Sequence, residues 1–293
     1  MSTQRRPAAP KRLMRAVWRR LPRTALSYKL AKGLTRSVLR PEGTPLVTDI
    51  LLGGRVPMQI DLSDIVGNDL FCMDDHYEAP TLALWTTLAR EAAVIVDLGS
   101  HIGLYACTAA ATNPHARVVA VEGLAENVAV LRRNASAFRN LTALHAVVGP
   151  AAGRGTFRMS PIAGGGYLEE AAAALEHDTT AGRHRRADRF AVDVSTLADL
   201  CAREGIAAID LLKIDLEGLE HALLTGQGEF WTRCTPRHVL VEISAARDDR
   251  AAHDEIFAAM RRRGYRHRRT ERLHTIPWAQ PDSLANWHFW RAV

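Results

Sequence analysis

The segment Val94-Ile-Val-Asp97-Leu-Gly99-Ser-His-Ile-Gly103 decides the fold. It is typical of a buried strand, a turn containing two glycines and the start of a helix. Glycines let the backbone approach a ligand at the carboxyl end of the strand, where open α/β sheets bind cofactors. A dinucleotide site would carry G-x-G-x-x-G, whereas this turn has G-x-x-x-G after an acid. The Asp97 carboxylate would repel a pyrophosphate and suits a ligand with a cationic amino group, such as S-adenosylmethionine.

Around this segment, short apolar runs alternate with helical patterns, which predicts an α/β fold built on a mainly parallel sheet. The predicted strands are Val94–Asp97, Val118–Val121, Leu141–Val148, Ile209–Asp215 and His238–Ile243. The predicted helices are Leu104–Ala111, Ala125–Ala137, Ser195–Arg203, Glu217–Leu224 and Ala251–Arg262. Two terminal strands, 265–269 and 287–291, are expected to pair antiparallel at the sheet edge.

The chain divides into three parts. Residues 94–293 form the predicted catalytic domain, residues 43–93 a lead-in segment packing on it, and residues 1–42 an N-terminal arm. Strand-like pieces at 153–159 and 190–194 flank an insertion at 160–187. A segment of this length between core elements is usually a lid or a binding loop, and surface decoration is the alternative.

Charge is distributed unevenly. The net charge of +6 comes from an arm with twelve basic side chains and one acid, giving +11, and a remainder carrying −5. Apolar positions around Trp18 form one face of a basic helix, which would allow peripheral contact with an anionic membrane. Docking of this helix on the parent domain is an equal alternative.

The composition also excludes several classes of protein. The four cysteines are too far apart for a zinc knuckle or a redox dithiol and are expected to be reduced and buried. The sequence shows neither a membrane span nor a signal peptide. We therefore expect a cytoplasmic protein, with the arm as the one means of reaching the inner face of the membrane.

A second acid supports the cofactor prediction. Glu122 ends the next strand, 25 residues after Asp97, where a carboxylate can accept two hydrogen bonds from ribose hydroxyls. The cofactor-binding residues predicted from the two strand ends are Asp97, Gly99, Ser100, His101, Gly103, Glu122, Gly123 and Asn127. Asn134, about two helical turns after Asn127, either contributes a polar contact or faces solvent.

The third motif is Asp210-Leu-Leu-Lys213-Ile-Asp215-Leu-Glu217-Gly218-Leu-Glu220. Strand alternation places Lys213 and Asp215 on the same side. Lys213 is the only lysine outside the arm, so the position favours a compact ammonium over a guanidinium. The alternative is a buried lysine that pairs with Asp215 or Glu217 and holds the strand end together.

These motifs together resemble the FkbM-type family of S-adenosylmethionine-dependent methyltransferases, over roughly residues 75–245. The resemblance implies a class I methyltransferase fold: a Rossmann-like, mainly parallel seven-stranded sheet with helices on both faces and an antiparallel edge strand. It also implies methylation of hydroxyls on sugars, glycolipids or polyketide-like natural products. Two positions depart from the family pattern. Ser100 and His101 stand where Ala-Asn is usual, and Gly123 replaces a common proline.

The predicted chemistry needs a base, because a sugar hydroxyl is a poor nucleophile while it is protonated. Asp215 is the predicted base, and Lys213 would orient it or stabilise charge on the acceptor oxygen. Glu217 and Glu242 would bind acceptor hydroxyls or, with Asp215, a divalent cation. No ligand spacing compels a metal, so the metal is left open.

Three rival functions are retained. A nucleic-acid methyltransferase would explain the arm and the arginines between residues 261 and 272, although no Asn-Pro-Pro-Tyr-type base pocket is present. A dinucleotide-binding oxidoreductase and a non-catalytic binding module are the others. The sequence does not define the acceptor or the oligomeric state. Contacts with the acceptor are expected from residues 160–187 and from Trp278, Trp287 and Trp290. The rings of these tryptophans would either stack on sugars or fill the core.

Overall fold

The computed structural model describes residues 47–62, 64–74, 77–159, 166–168, 189–226, 228–244, 250–270 and 284–291, with isolated helical positions between residues 16 and 33. Most of the predicted arm and of the 160–187 insertion lie outside the described residues, as does Trp278. In the part of the chain that is described, no helix combines the length and apolar character required to cross a membrane.

The described residues form thirteen strands and eight helices. The strands are β1 Val47–Leu52, β2 Val56–Asp61, β3 Val94–Leu98, β4 Arg117–Glu122, β5 Leu141–His145, β6 Val147–Val148, β7 Gly153–Met159, β8 Gly166–Leu168, β9 Arg189–Ser195, β10 Leu211–Ile214, β11 His238–Ser244, β12 Arg266–Arg269 and β13 Leu284–Trp290. The helices are α1 Ile65–Met73, α2 Ala79–Ala89, α3 Leu104–Thr112, α4 Ala125–Ala135, α5 Leu197–Arg203, α6 Glu220–Thr225, α7 Gly228–Arg233 and α8 Arg250–Arg262.

A seven-stranded sheet forms the centre of the molecule, in the order β12-β13-β11-β10-β3-β4-β5. Counted along the chain, its strands follow the order 3-2-1-4-5-7-6. Strands β3, β4, β5, β10 and β11 are parallel, and β13 runs antiparallel to both of its neighbours. This is the predicted class I methyltransferase fold. The antiparallel strand lies one position inside the edge, which β12 occupies.

Both faces of this sheet are buried, as expected for a parallel sheet covered by helices. Alternate strand residues point to opposite sides: Ile95 packs in one apolar cluster and Val96 in the other. The first cluster joins the sheet to α2, α3, α4 and the β1–β2 hairpin. The second joins it to α5, α6, α7 and α8. Below, the face covered by α2 and α3 is called the hairpin face.

A separate four-stranded sheet, β6-β9-β7-β8, follows the third strand of the main sheet. The predicted single strand 141–148 is wrong in this respect: it is interrupted at Ala146, and its two halves belong to different sheets. The predicted strand-like pieces at 153–159 and 190–194 are confirmed as the antiparallel pair β7–β9. Of the 160–187 insertion, the structure describes β8, which pairs with β7.

Two helices begin later than the sequence predicts. Helix α5 begins at Leu197, because the Thr196 side chain accepts from the backbone N–H of Asp199 in a capping box. Helix α6 begins at Glu220, because Glu217 (φ +54°) and Gly218 (φ +113°) have left-handed backbone conformations that a right-handed helix excludes.

Candidate active site

A row of polar side chains crosses five neighbouring strands on the hairpin face, at the carboxyl edge of the parallel strands. In the sheet register Asp97 lies opposite Lys213, and Glu242 opposite Asn286. On β4, the neighbour of β3 on its other side, Ala120 is the partner of Asp97, and Glu122 lies two residues after Ala120. Since side chains two residues apart share a face, all five residues project to the hairpin face. The sheet therefore brings the predicted cofactor and catalytic residues to one edge.

The glycine turn after β3 packs against the segment that carries the predicted base. Gly99 has φ +75°, and a Cβ placed there would lie 1.7 Å from the backbone oxygen of Asp215. Gly103 has φ +96°, and a Cβ would lie 2.7 Å from Leu131 Cδ1. Both positions therefore need glycine, one for close backbone approach and the other for packing against α4.

Glu122 is buried and holds the turn in place. One of its oxygens accepts from the backbone N–H of His101 at 2.8 Å and the other from that of Leu124 at 2.8 Å. A carboxylate has about four lone-pair positions, so two acceptor positions remain after these bonds. Glu122 can therefore hold the glycine turn and accept ribose hydroxyls at the same time.

Ser100 and His101 differ in how they are used. The Ser100 hydroxyl donates to the Asp97 carbonyl at 2.6 Å and accepts from the Val121 N–H at 3.0 Å, which ties the turn to both strands. His101 has φ +50°, and both of its ring nitrogens are buried without a hydrogen-bond partner among the described residues. A buried imidazole of this kind has free capacity for a ligand group.

Two further predicted cofactor residues, Gly123 and Asn127, lie just before α4 and in its first turn. Asn127 is buried there. A Cβ on Gly123 would lie 3.1 Å from Phe157 Cε2 and 3.2 Å from Val147 Cγ2, so the second sheet packs tightly against this position. This packing is a structural reason for glycine where the family pattern has proline.

Asp97 carries the clearest sign of a cationic ligand. It is 1% exposed; its Oδ2 accepts from the Ala106 N–H at 3.1 Å, and its Oδ1 has no hydrogen-bond partner among the described residues. Burial raises the pKa of Asp97 to about 6, although Lys213 lowers it. An unpaired buried carboxylate oxygen is costly, and a ligand ammonium would satisfy it.

Lys213 is enclosed on all sides by groups that favour its charge. It is 2% exposed, its Nζ donates to Asp215 Oδ2 at 2.6 Å, and the same atom lies 4.5 Å from the centroid of the Tyr105 ring. Burial lowers the pKa of Lys213, but Asp215, Asp97 and Glu78 outweigh it and raise the pKa above its ordinary value. Lys213 is thus a buried lysine paired with Asp215, as the structural alternative predicts, and it is also the neighbour of the predicted base.

The structure adds residues that the sequence did not indicate. The Tyr105 hydroxyl donates to the Glu78 carboxylate, and burial raises the pKa of Glu78, opposed by Lys213 and by this hydrogen bond. Trp85 stacks edge-on against Tyr105 at 5.5 Å and donates to its carbonyl at 2.9 Å. Glu78 precedes α2, so only the packing of α2 on α3 brings it to the site.

The loop after β10 is shaped by Glu220. Its two oxygens accept from the N–H groups of Leu216 and Gly218, each at 2.8 Å, across the turn that contains Glu217. Burial raises the pKa of Glu220 to about 7, with Asp215 and Glu217 raising it further and the backbone hydrogen bonds opposing. Glu217 is partly exposed at this turn, near enough to Glu220 and Glu242 to raise the pKa of both.

Asn134 has a structural role. Its Oδ1 accepts from the Gln59 N–H at 2.6 Å, and its Nδ2 donates to the carbonyls of Gln59 at 3.1 Å and Ile102 at 2.8 Å. It therefore connects α4 to the β1–β2 hairpin and to the glycine turn, and it does not face solvent.

Several other candidates lie away from this edge or fill the core. Trp287 packs against Phe257 at 4.7 Å, while Trp290 stacks on His288 at 5.0 Å. Arg263, from the predicted basic cluster, donates to the carbonyls of Leu224, Thr225 and Gly226 and so caps the end of α6. Among the described residues, no group of three or more histidine, cysteine, aspartate or glutamate side chains is arranged to hold a metal ion.

The chain is similar to several known proteins in sequence or in structure. A relative from Streptomyces tacrolimicus, 31-O-demethyl-FK506 methyltransferase FkbM, is 30% identical over 196 residues, covering 60% of this chain and 74% of that protein. Among solved structures, Methanococcus jannaschii TYW2 in complex with AdoMet has a TM-score of 0.44 at 11% identity, covering 86% of this chain and 90% of that one. Aeropyrum pernix fibrillarin with natively bound S-adenosyl-L-methionine has a TM-score of 0.42 at 14% identity, covering 72% and 73%.

The strand order described above defines the fold independently of these two structures. The model of the methyltransferase FkbM domain matches residues 97–267, from Asp97 near the end of β3 to the edge strand β12. This range contains the glycine turn, Glu122 and the Lys213–Asp215 pair, and it covers more than half of the chain. The chain belongs to the FkbM family of methyltransferases.

Proposed function

We propose that this protein is an S-adenosylmethionine-dependent O-methyltransferase, which transfers a methyl group to a hydroxyl of a sugar, a glycolipid, or a glycosylated or polyketide natural product. The observation that carries the proposal is the arrangement of two buried carboxylates, Asp97 and Glu122, on either side of the glycine turn. The relative from Streptomyces tacrolimicus, whose name describes a 31-O-demethyl substrate, supports a hydroxyl acceptor.

The residues present fit the cofactor. Asp97 Oδ1 is a buried acceptor without a donor, which suits the methionine ammonium, and Glu122 keeps acceptor positions for the ribose hydroxyls. The bound cofactor would supply an electrophilic methyl group carried on a sulfonium. The rest of the cofactor would leave as a neutral thioether when the acceptor oxygen bonds to that methyl group. The protein's own task is then to align the acceptor oxygen and to take its proton.

Asp215 is the proposed proton acceptor. It follows directly after β10, its side chain is 28% exposed, and one of its oxygens is held by the Lys213 ammonium at 2.6 Å. The other oxygen would take the hydroxyl proton as the acceptor oxygen bonds to the methyl group. Lys213 is fixed between Asp215 and the Tyr105 ring, so it would orient the base and offset the charge on the reacting oxygen.

The proposal is tested by following tritium from S-[methyl-³H]-adenosylmethionine into three acceptors: a neutral methyl glycoside, a macrolide with free hydroxyls, and a short RNA. We expect label on a hydroxyl of the glycoside or the macrolide. Asp215→Asn should retain cofactor binding and lose turnover by about 100-fold or more, as is typical for loss of a general base.

The matched control is Glu255→Gln, an exposed acid on α8 that pairs with His221, and it should behave as wild type. Label in the RNA alone would favour the nucleic-acid alternative. Label in none of the three, or full activity of Asp215→Asn, would contradict the proposed acceptor class or the proposed base respectively.

A further inference from the structure

The polar row continues past the proposed base to Asn286, whose amide orientation is set by a chain of hydroxyls. The Thr270 hydroxyl donates to the Asn286 backbone carbonyl at 2.9 Å. Its proton is thereby used, so in the 3.4 Å contact between Thr81 and Thr270 the Thr81 hydroxyl is the donor. Thr81 can then only accept at its oxygen, which it does from Asn286 Nδ2 at 3.4 Å.

This order of donors leaves the Asn286 Oδ1 atom as an acceptor with nothing to accept. The residue is 1% exposed, and Oδ1 has no hydrogen-bond partner among the described residues. Exchanging the amide atoms would let Thr81 donate to Oδ1, but it would leave the Thr81–Thr270 contact without a hydrogen and would turn Nδ2 into a buried donor without an acceptor, so a flip only moves the problem. A buried acceptor of this kind calls for a donor from outside the described residues.

Glu242 lies beside this acceptor. It is the cross-strand partner of Asn286 on the hairpin face, which puts their Cβ atoms about 4.5–5.5 Å apart. No side-chain hydrogen bond to the described residues holds the Glu242 carboxyl, and the side chain is partly exposed. The Glu242 carboxyl and Asn286 Oδ1 therefore lie next to each other on the hairpin face, and Asp215 is near enough to raise the pKa of Glu242.

Acidic groups outnumber basic ones among the side chains that act on Glu242. Burial raises the pKa of Glu242 well above its ordinary value, and Asp215, Glu78 and Glu217 raise it further against the opposing effect of Lys213. The carboxyl therefore holds a proton more readily than an ordinary glutamate, and its carbonyl oxygen remains an acceptor in that form. A phosphate or a carboxylate brought here would meet the same repulsion. A molecule that offers neutral hydroxyl donors would not.

We propose that Asn286 Oδ1 and the Glu242 carboxyl form the acceptor subsite, and that they accept hydrogen bonds from hydroxyls of a neutral, polyhydroxylated acceptor while a further hydroxyl lies at Asp215. This inference rests on the proposed function and specifies its acceptor. It makes Glu242 and Asn286 residues that determine specificity, on the opposite side of Asp215 from Glu122. Anionic acceptors, including sugar phosphates, uronic acids and nucleic-acid backbones, are excluded by charge.

The test uses the full chain saturated with S-adenosylhomocysteine and follows ligand binding by saturation-transfer NMR. The probes are methyl α-D-glucopyranoside and methyl α-D-mannopyranoside, with glucose 6-phosphate and glucuronate as the anionic counterparts. We expect saturation transfer to at least one neutral glycoside and none to the anions. Glu242→Gln and Asn286→Leu should each weaken glycoside binding about tenfold or more, while S-adenosylhomocysteine affinity, measured by calorimetry, stays unchanged.

Glu255→Gln serves as the matched acid-to-amide control and should bind glycosides as wild type does. If Asn286→Leu does not fold, Glu242→Gln alone decides. Absence of transfer to both glycosides, equal binding of the anions, or undiminished binding in Glu242→Gln would each overturn the subsite. Failure of wild type to bind S-adenosylhomocysteine would instead overturn the proposed function, so the two failures are distinguishable.

Discussion

Replacing Lys213 with methionine tests the organisation of the site most severely. Methionine keeps an unbranched chain but removes the ammonium that lies 2.6 Å from Asp215 and faces Asp97 across the strands. Asp97 is 1% exposed, and among the described residues Lys213 is the cation that lowers its pKa, so solvent cannot replace the lost interaction. Lys213→Met should therefore destabilise the fold as well as abolish turnover.

The magnitude follows from the exposure of the two acids. Breaking a buried ion pair by removing one partner costs about 3–5 kcal/mol. Asp215 is 28% exposed and is partly screened by water, which places the expected loss at the low end, about 3 kcal/mol. For a domain of this size, that corresponds to a fall in Tm of roughly 6–12 °C. Urea unfolding followed by circular dichroism, together with scanning calorimetry, would measure both values.

The loss should depend on pH in a defined direction. Burial already raises the pKa of Asp97 to about 6, and without Lys213 it rises further. A carboxyl whose pKa is raised in the folded state does not affect stability below about pH 4, where it is protonated in both the folded and the unfolded protein. As the pH rises through the folded-state pKa, the folded protein loses stability. The defect of Lys213→Met should thus be smallest near pH 4 and largest near pH 8.

Two further variants make the reasoning refutable. Asp97→Asn in the Lys213→Met background removes the uncompensated charge and should recover part of the stability. Arg154→Met breaks an exposed pair with Asp193 at 3.3 Å and should cost less than about 1 kcal/mol. A Lys213→Met protein within about 1 kcal/mol of wild type, or a double variant no more stable than the single one, would refute the account of this site.

Three other predictions follow from single contacts. Gly99→Ala places a methyl 1.7 Å from the Asp215 carbonyl and should weaken cofactor binding more than tenfold in calorimetry. The control is Gly205→Ala, at a position with φ +63° and open space around it. It should cost only the backbone strain of about 1–2 kcal/mol and leave cofactor binding intact. The free energy of unfolding of Glu220→Gln should rise relative to that of wild type as the pH increases from 5 to 8 in urea titrations. The pKa of Glu220 is raised to about 7, so the wild type loses stability through that range. A difference that does not change with pH would contradict this prediction. Asn134→Ala should lower the free energy of unfolding by about 2–3 kcal/mol, since it removes three hydrogen bonds between α4, the hairpin and the glycine turn, and a loss under about 0.5 kcal/mol would show that they contribute little.

The parallel strands could be predicted because their signals are local. The run from Val94 to Gly103 contains its own strand, turn and helix start, and the alternation around Lys213 correctly places its side chain beside Asp215. The strand at 141–148 was predicted too long, because no local pattern marks Ala146 as the point where the chain passes to a second sheet.

The rest of the site depends on long-range packing. Glu78 reaches Lys213 only because α2 packs on α3, and Asn286 reaches Glu242 only through the antiparallel register of β13. Neither residue has a distinctive local spacing. A search for polar residues at apolar positions of the strands would have found Asn286, which interrupts the final apolar run.

The account rests on a cofactor site formed by Asp97 and Glu122, and calorimetric titration of S-adenosylmethionine tests it most directly. Wild type and Glu255→Gln should bind one equivalent with equal affinity. Glu122→Ala should bind tenfold more weakly or worse, since it loses the ribose acceptors and frees the His101 N–H. No binding by the wild type, or undiminished binding by Glu122→Ala, would contradict the central claim.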